Sequence, residues 1–142
     1  LVSIHTSPFS VVSLPEETLG CSALSVSAAP DGSLWVGTDG AGLYHHSAQG
    51  WKNYGVNEGL TNVYIPSVAV GTDGAVWASN FWWGSPYHLE EGHFSRPDGI
   101  ESDANPAYAL LPLEAGEMLV GNRGKYVGMV VGITFAALLI GQ

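Results

Sequence analysis

The sequence predicts an all-β chain made of repeated four-stranded units. Three observations lead there. A turn-and-strand pattern at Asp31–Gly37 recurs at Asp73–Ser79 and, weaker, at Ala115–Gly121, and its turn glycines Gly32, Gly74 and Gly116 are evenly spaced. Apolar residues within a copy alternate with period two, as in a strand with one covered face. The chain holds 19 glycines and 8 prolines in 142 residues, enough to punctuate many short strands.

The elements of one unit follow in order. Leu24, Val26 and Ala28 alternate with Ser25 and Ser27, which predicts an inner strand, a. Pro30-Asp31-Gly32 then turns the chain, because Asp and Gly tolerate the positive φ a tight hairpin needs. Leu34-Trp35-Val36 is a short apolar strand, b, and Asp39-Gly40-Ala41-Gly42 turns again. Leu43–His46 is strand c and Trp51–Tyr54 strand d. Four short strands in a repeat of about 42 residues is the arithmetic of a β-propeller blade. Val26, Val68 and Leu110 keep the same step, as do Trp35, Trp77 and Leu119. Trp51 matches Phe94 with one inserted residue, and Phe9 fits the same slot one repeat earlier. Gly37–Gly40 and Gly71–Gly74 are identical strings but out of phase, so they are turn chemistry rather than a shared site.

These positions divide the chain into a partial β-propeller over 1–122, with blades at about 23–64 and 65–106 and part-blades on either side. Two to three blades fall short of the roughly four to eight that close a propeller, so a piece of a longer chain is expected.

Charge narrows the function classes. Residues 1–122 carry 13 acids and two bases; the tail carries two bases and no acid. A nucleic-acid binder needs clustered Lys and Arg, and Lys52, Arg96, Arg123 and Lys125 are too few and too scattered. Cys21 is the single cysteine, which excludes an internal disulfide and a Cys-based zinc cluster. No cofactor fingerprint or nucleophile motif occurs, and no cofactor is expected.

The C-terminus breaks the pattern. Tyr126–Gly141 has no charged residue, and small residues recur every four, at Gly124, Gly128, Gly132 and Ala136. That spacing lets membrane helices approach closely, and Arg123 and Lys125 flank the stretch. The expectation for 123–142 is an apolar, helical segment that contacts the membrane through 126–141 as a truncated transmembrane helix. Sixteen residues of helix cover about 24 Å, short of a bilayer core. A buried strand pair is the other reading, since Val, Ile and Phe form strands well.

Candidate site residues come from one insertion. Asn80, Phe81, Trp82, Trp83 and Tyr87 occupy the b–c loop of the second blade, where the first blade has its compact turn. In a propeller the b–c loops share one end with the d–a loops. Trp and Tyr rings suit sugar rings and peptide side chains, so a carbohydrate or peptide ligand is expected; packing between blades is the competing use of the same rings. Trp35 and Trp77, at matched phase in strand b, are expected in the blade-to-blade core. His45 and His46 are adjacent and point to opposite faces of a strand, and the spacing of His88 and His93 matches no metal motif.

Asp31–His46, DGSLWVGTDGAGLYHH, closely resembles the two-component regulator propeller repeat at Gly32, Leu34, Trp35, Gly37, Thr38, Gly42, Leu43 and Tyr44. The second copy keeps Asp73, Gly74 and Trp77 but has Ser79-Asn80 for Gly-Thr; the third keeps Gly116, Leu119 and Gly121. The resemblance implies a non-catalytic sensing module of a bacterial two-component sensor-type protein. It implies a propeller outside the cytoplasm, attached to a membrane, with a kinase domain downstream in a longer chain. Arg123 and Lys125 would instead place the propeller inside, a conflict that a large domain can override. Met118–Gln142 is also similar to the first membrane segment of an ABC-exporter permease, which implies a transport protein. Streptogramin-lyase-like propellers share a similar repeat; on that alternative the chain is an enzyme that depends on His88 or His93.

Overall fold

The structure is a computed structural model and describes residues 9–18, 20–79, 86–96, 107–114, 117–122, 126–131 and 134–139. Its strands form three four-stranded antiparallel sheets, each a simple meander. Blade 1 consists of β1 (Ala23–Ala28), β2 (Leu34–Thr38), β3 (Leu43–Ser47) and β4 (Gly50–Tyr54). Blade 2 consists of β5 (Val68–Val70), β6 (Val76–Ala78), β7 (Tyr87–Glu90) and β8 (His93–Ser95). Blade 3 consists of β9 (Ala107–Pro112), β10 (Glu117–Asn122), β11 (Tyr126–Val131) and β12 (Thr134–Leu139). The chain is all-β with the architecture of a partial propeller, as the even spacing of the repeat predicts.

The same turn opens each blade. Ala29 N donates to Ser33 O, Gly71 N to Ala75 O and Leu113 N to Glu117 O, each at 2.8 Å. These pairs are themselves exactly one repeat apart, so the sequence metre is a backbone metre. Gly32 and Gly74 sit at φ +87° and +85°, which L side chains rarely adopt. The Gly-Thr-x-x-Gly part of the repeat also has a mechanical reason. Thr38 is fully buried; its hydroxyl donates to Gly42 O at 2.7 Å and accepts from Ala41 N at 2.9 Å, closing the b–c turn.

The core lies between the blades. Trp35, Leu43 and Tyr54 of blade 1 are buried with Val68, Val70, Val76, Tyr87 and Phe94 of blade 2. Trp77 and Ala69 of blade 2 are buried with Met118 and Val120 of blade 3. Trp35 and Trp77 therefore do the same work, each packing its blade onto the next. The connection between blades 1 and 2 is pinned to the first b–c turn, with Ile65 N donating to Thr38 O at 2.8 Å and Gly42 N to Val63 O at 2.9 Å.

Two expectations need correction. The segment expected to be helical forms β11 and β12, which pair with each other and continue the sheet of β10. Leu119 pairs with Met129 and Met129 with Ala136. The β-branched content of the segment favours strands, and the repeat metre puts strands c and d at this point. Among the described residues, no helix is long and apolar enough to cross a membrane. Phe9, which the repeat places in an outer strand, lies in irregular chain and is 84% exposed. The first described sheet begins at β1, downstream of this segment.

Candidate functional site

The meander fixes where chemistry can gather. In blade 1 the a–b and c–d turns lie at one end of the sheet, and the b–c turn and the connection to blade 2 at the other. Of the five residues singled out from sequence, Asn80, Phe81, Trp82 and Trp83 lie outside the described residues. Tyr87 is described. It begins β7, is 1% exposed and belongs to the core shared by blades 1 and 2. Its hydroxyl is hydrogen-bonded to the Thr61 hydroxyl and accepts from Thr61 N at 3.3 Å. Thr61 lies in the d–a connection, so Tyr87 ties the b–c side of blade 2 to the loop that leaves blade 1.

The opposite end holds a cleft of about 350 Å³ between the a–b turns of blades 1 and 2. Trp35, Val76 and Leu89 make its apolar floor, and Asp31, His45 and Asp73 its polar rim. Both carboxylates are placed by their own turns. Asp31 Oδ1 accepts from Ser33 N at 2.9 Å and from the Ser33 hydroxyl at 2.5 Å. Those two bonds hold the Asp31 carboxyl below the usual carboxylate range. Asp73 Oδ1 accepts from Ala75 N at 3.1 Å, the same turn one repeat later.

His45 stands opposite Trp35 in the β2–β3 register, and the rings stack at 4.1 Å with 16° between planes. Blade 2 repeats the pair: Trp77 faces His88, with ring centroids 4.3 Å apart at 28°. Partial burial pushes the His45 imidazole below its ordinary value, with Asp31 pulling the other way and Lys52 and His46 adding to the lowering. The shift favours the neutral ring. His88 has a carboxylate beside it, Nδ1 lying 3.5 Å from Glu90 Oε1.

The Ser33 hydroxyl donates to the Asp31 carboxylate rather than to an imidazole. Among the described residues, no three His, Cys, Asp or Glu side chains are gathered as a metal ion would need. His46 packs beside Trp51 at 4.6 Å, while His45 packs on Trp35, as neighbours along a strand must. Sequence reasoning missed the repeated Trp–His stack. The signal was available: the single insertion that aligns Trp51 with Phe94 also aligns His45 with His88.

No family model and no curated protein matches the chain. Solved structures do. A streptogramin B lyase superposes with a TM-score of 0.70 at 18% identity, over 91% of this chain and 43% of the lyase. Virginiamycin B lyase from Staphylococcus aureus gives 0.69 at 11% identity, over 84% of this chain and 42% of that one. The extracellular domain of the two-component system BT4673 from B. thetaiotaomicron gives 0.66 at 18% identity, over 89% of this chain and 18% of that domain. The chain thus spans less than half the length of each, and the likeness establishes the fold. The exporter likeness of residues 118–142 gains no support from these comparisons.

Proposed function

We propose that this chain is part of a non-catalytic, ligand-sensing propeller of the two-component-regulator type, working outside the cytoplasm. One observation carries the reading. The stretch that resembles the regulator repeat, Asp31–Tyr44, folds as that repeat requires: turn, strand b, a Thr38-closed turn, strand c. The BT4673 extracellular domain, similar in fold, supports the same reading. The ligand is a carbohydrate or peptide met at the b–c and d–a end, where Trp82 and Trp83 stand in the sequence. Binding there would act on the neighbouring domain of a longer chain, a kinase module on this reading.

A glycan-array screen of the chain tests the ligand class, with Trp82→Ala and Trp83→Ala as controls. Loss of a sugar ring's stacking platform should weaken binding about tenfold or more. Binding retained in both variants rejects the aromatic loop as the site.

The streptogramin lyase likeness at TM-score 0.70 gives an enzyme reading its one specific support. On that reading a streptogramin B substrate is consumed and His88→Ala or His93→Ala abolishes turnover. The ring of His88 is stacked on Trp77, which favours a packing role for it.

A further inference from the structure

The cleft between the a–b turns of blades 1 and 2 is built wholly from those two blades. Its floor is apolar. Trp35 and Val76 are buried in the inter-blade core, and Leu89 packs against the same core. Its rim is negative: Asp31 comes from one blade and Asp73 from the next. No Lys or Arg lines the cleft. Lys52, opposite His45 in the β3–β4 register, holds its ammonium 4.8 Å from the centre of the Tyr54 ring instead.

The two carboxylates are fixed before any ligand arrives. Turn bonds from Ser33 and Ala75 all go to Oδ1, so Oδ2 of each aspartate takes none of them. The Ser33 bonds also favour the ionised form of Asp31. The His45 ring beside them favours its neutral form and so adds little opposing charge. An apolar floor beneath two anchored anionic groups is complementary to positive charge carried on an apolar body.

We propose that this cleft binds a small organic ammonium ion, its apolar body on Trp35, Val76 and Leu89 and its charged group at Asp31 and Asp73. A volume of about 350 Å³ lies at the lower end of small-molecule sites, about 300–1,000 Å³, which suits a compact amine rather than a protein segment. The chain's net charge of −9 draws cations toward it. The site is separate from the aromatic b–c loop, so it stands whether or not that loop binds a sugar or a peptide.

Titration of the isotope-labelled full chain with phenethylamine, followed by amide NMR, tests it. Phenethyl alcohol has the same body without the charge, and calcium ion has the charge without the body. The amine should move the amides of Asp31–Ser33 and Thr72–Ala75 saturably and bind about tenfold or more tightly than the alcohol. Added salt should weaken it. Asp73→Asn keeps an Oδ1 acceptor for Ala75 N, so the turn should persist while amine affinity falls about tenfold. An unchanged spectrum away from the cleft checks that this variant is folded. The proposal is overturned if the amine gives no saturable shift at these turns, or if the alcohol binds as tightly. Calcium acting at the same amides as tightly as the amine also overturns it, since the site would then read charge alone. So does an Asp73→Asn chain that binds the amine like the wild type.

Discussion

Gly59 shows how one residue holds a blade joint. It sits at φ +97° and caps the short 3-10 turn Val56–Glu58 after blade 1. A Cβ there would collide with Phe94 O and stand 2.7 Å from His93 Nε2, so the loop passes directly under β8. Gly59→Ala should therefore both strain the backbone and force β8 away. We expect a loss of about 1–3 kcal/mol, read from the urea midpoint. Glycines with open space around them, such as Gly50, should show the backbone cost alone. Equal losses at both positions would mean that the Phe94 contact is immaterial. In the sequence Gly59 stands out only within Glu58-Gly59-Leu60, which Asp98-Gly99-Ile100 parallels in the next blade. The close approach that makes it indispensable exists only once β8 lies over the loop.

At the scale of the element, the strand pair β2–β3 and its Trp35–His45 stack set a pH dependence. Burial lowers the His45 value from 6.5, so the folded chain prefers the neutral ring. The unfolded chain binds the proton first as pH falls. Stability from this group is therefore full above the unfolded value and declines as pH drops through it toward the folded value. Asp31, Lys52 and His46 are the charged and titratable neighbours acting on that ring. Unfolding midpoints at about pH 7.5 and about pH 5.5, a window above the carboxylates, should show a smaller drop in His45→Gln than in the wild type. An identical drop would place the pH dependence elsewhere. The individual strands of blade 1 were legible because turn chemistry and period two agree over Ala23–Tyr54. The stack was not, because it depends on which residues face each other across two strands. The role of Tyr87 was hidden for a related reason. It follows a run of loop aromatics in sequence, yet it starts a strand and its ring goes to the core.

At the scale of the molecule, one constant repeat interval organises three blades, two inter-blade cores and one a–b turn that recurs with the same hydrogen bond. The glycines and tryptophans that mark this interval made the fold readable from sequence alone. The last blade was misread because two patterns overlap in it. Gly124, Gly128, Gly132 and Ala136 keep a helical spacing, while their β-branched and aromatic neighbours suit strands. A short local pattern can arise by chance in a segment rich in small residues. A global repeat is harder to imitate, and it places strands c and d where β11 and β12 form. The site was less legible than the fold, since propeller blades share one framework and vary in their loops.

The central claim is that the chain is three equivalent blades, with the apolar C-terminal stretch serving as the outer strands of the third. Backbone NMR of the full chain tests it most directly. The account predicts extended-strand carbon shifts over 126–131 and 134–139, with cross-strand contacts between Leu119 and Met129 and between Met129 and Ala136. Helical shifts through Tyr126–Val131 and Thr134–Leu139, without those contacts, would contradict it.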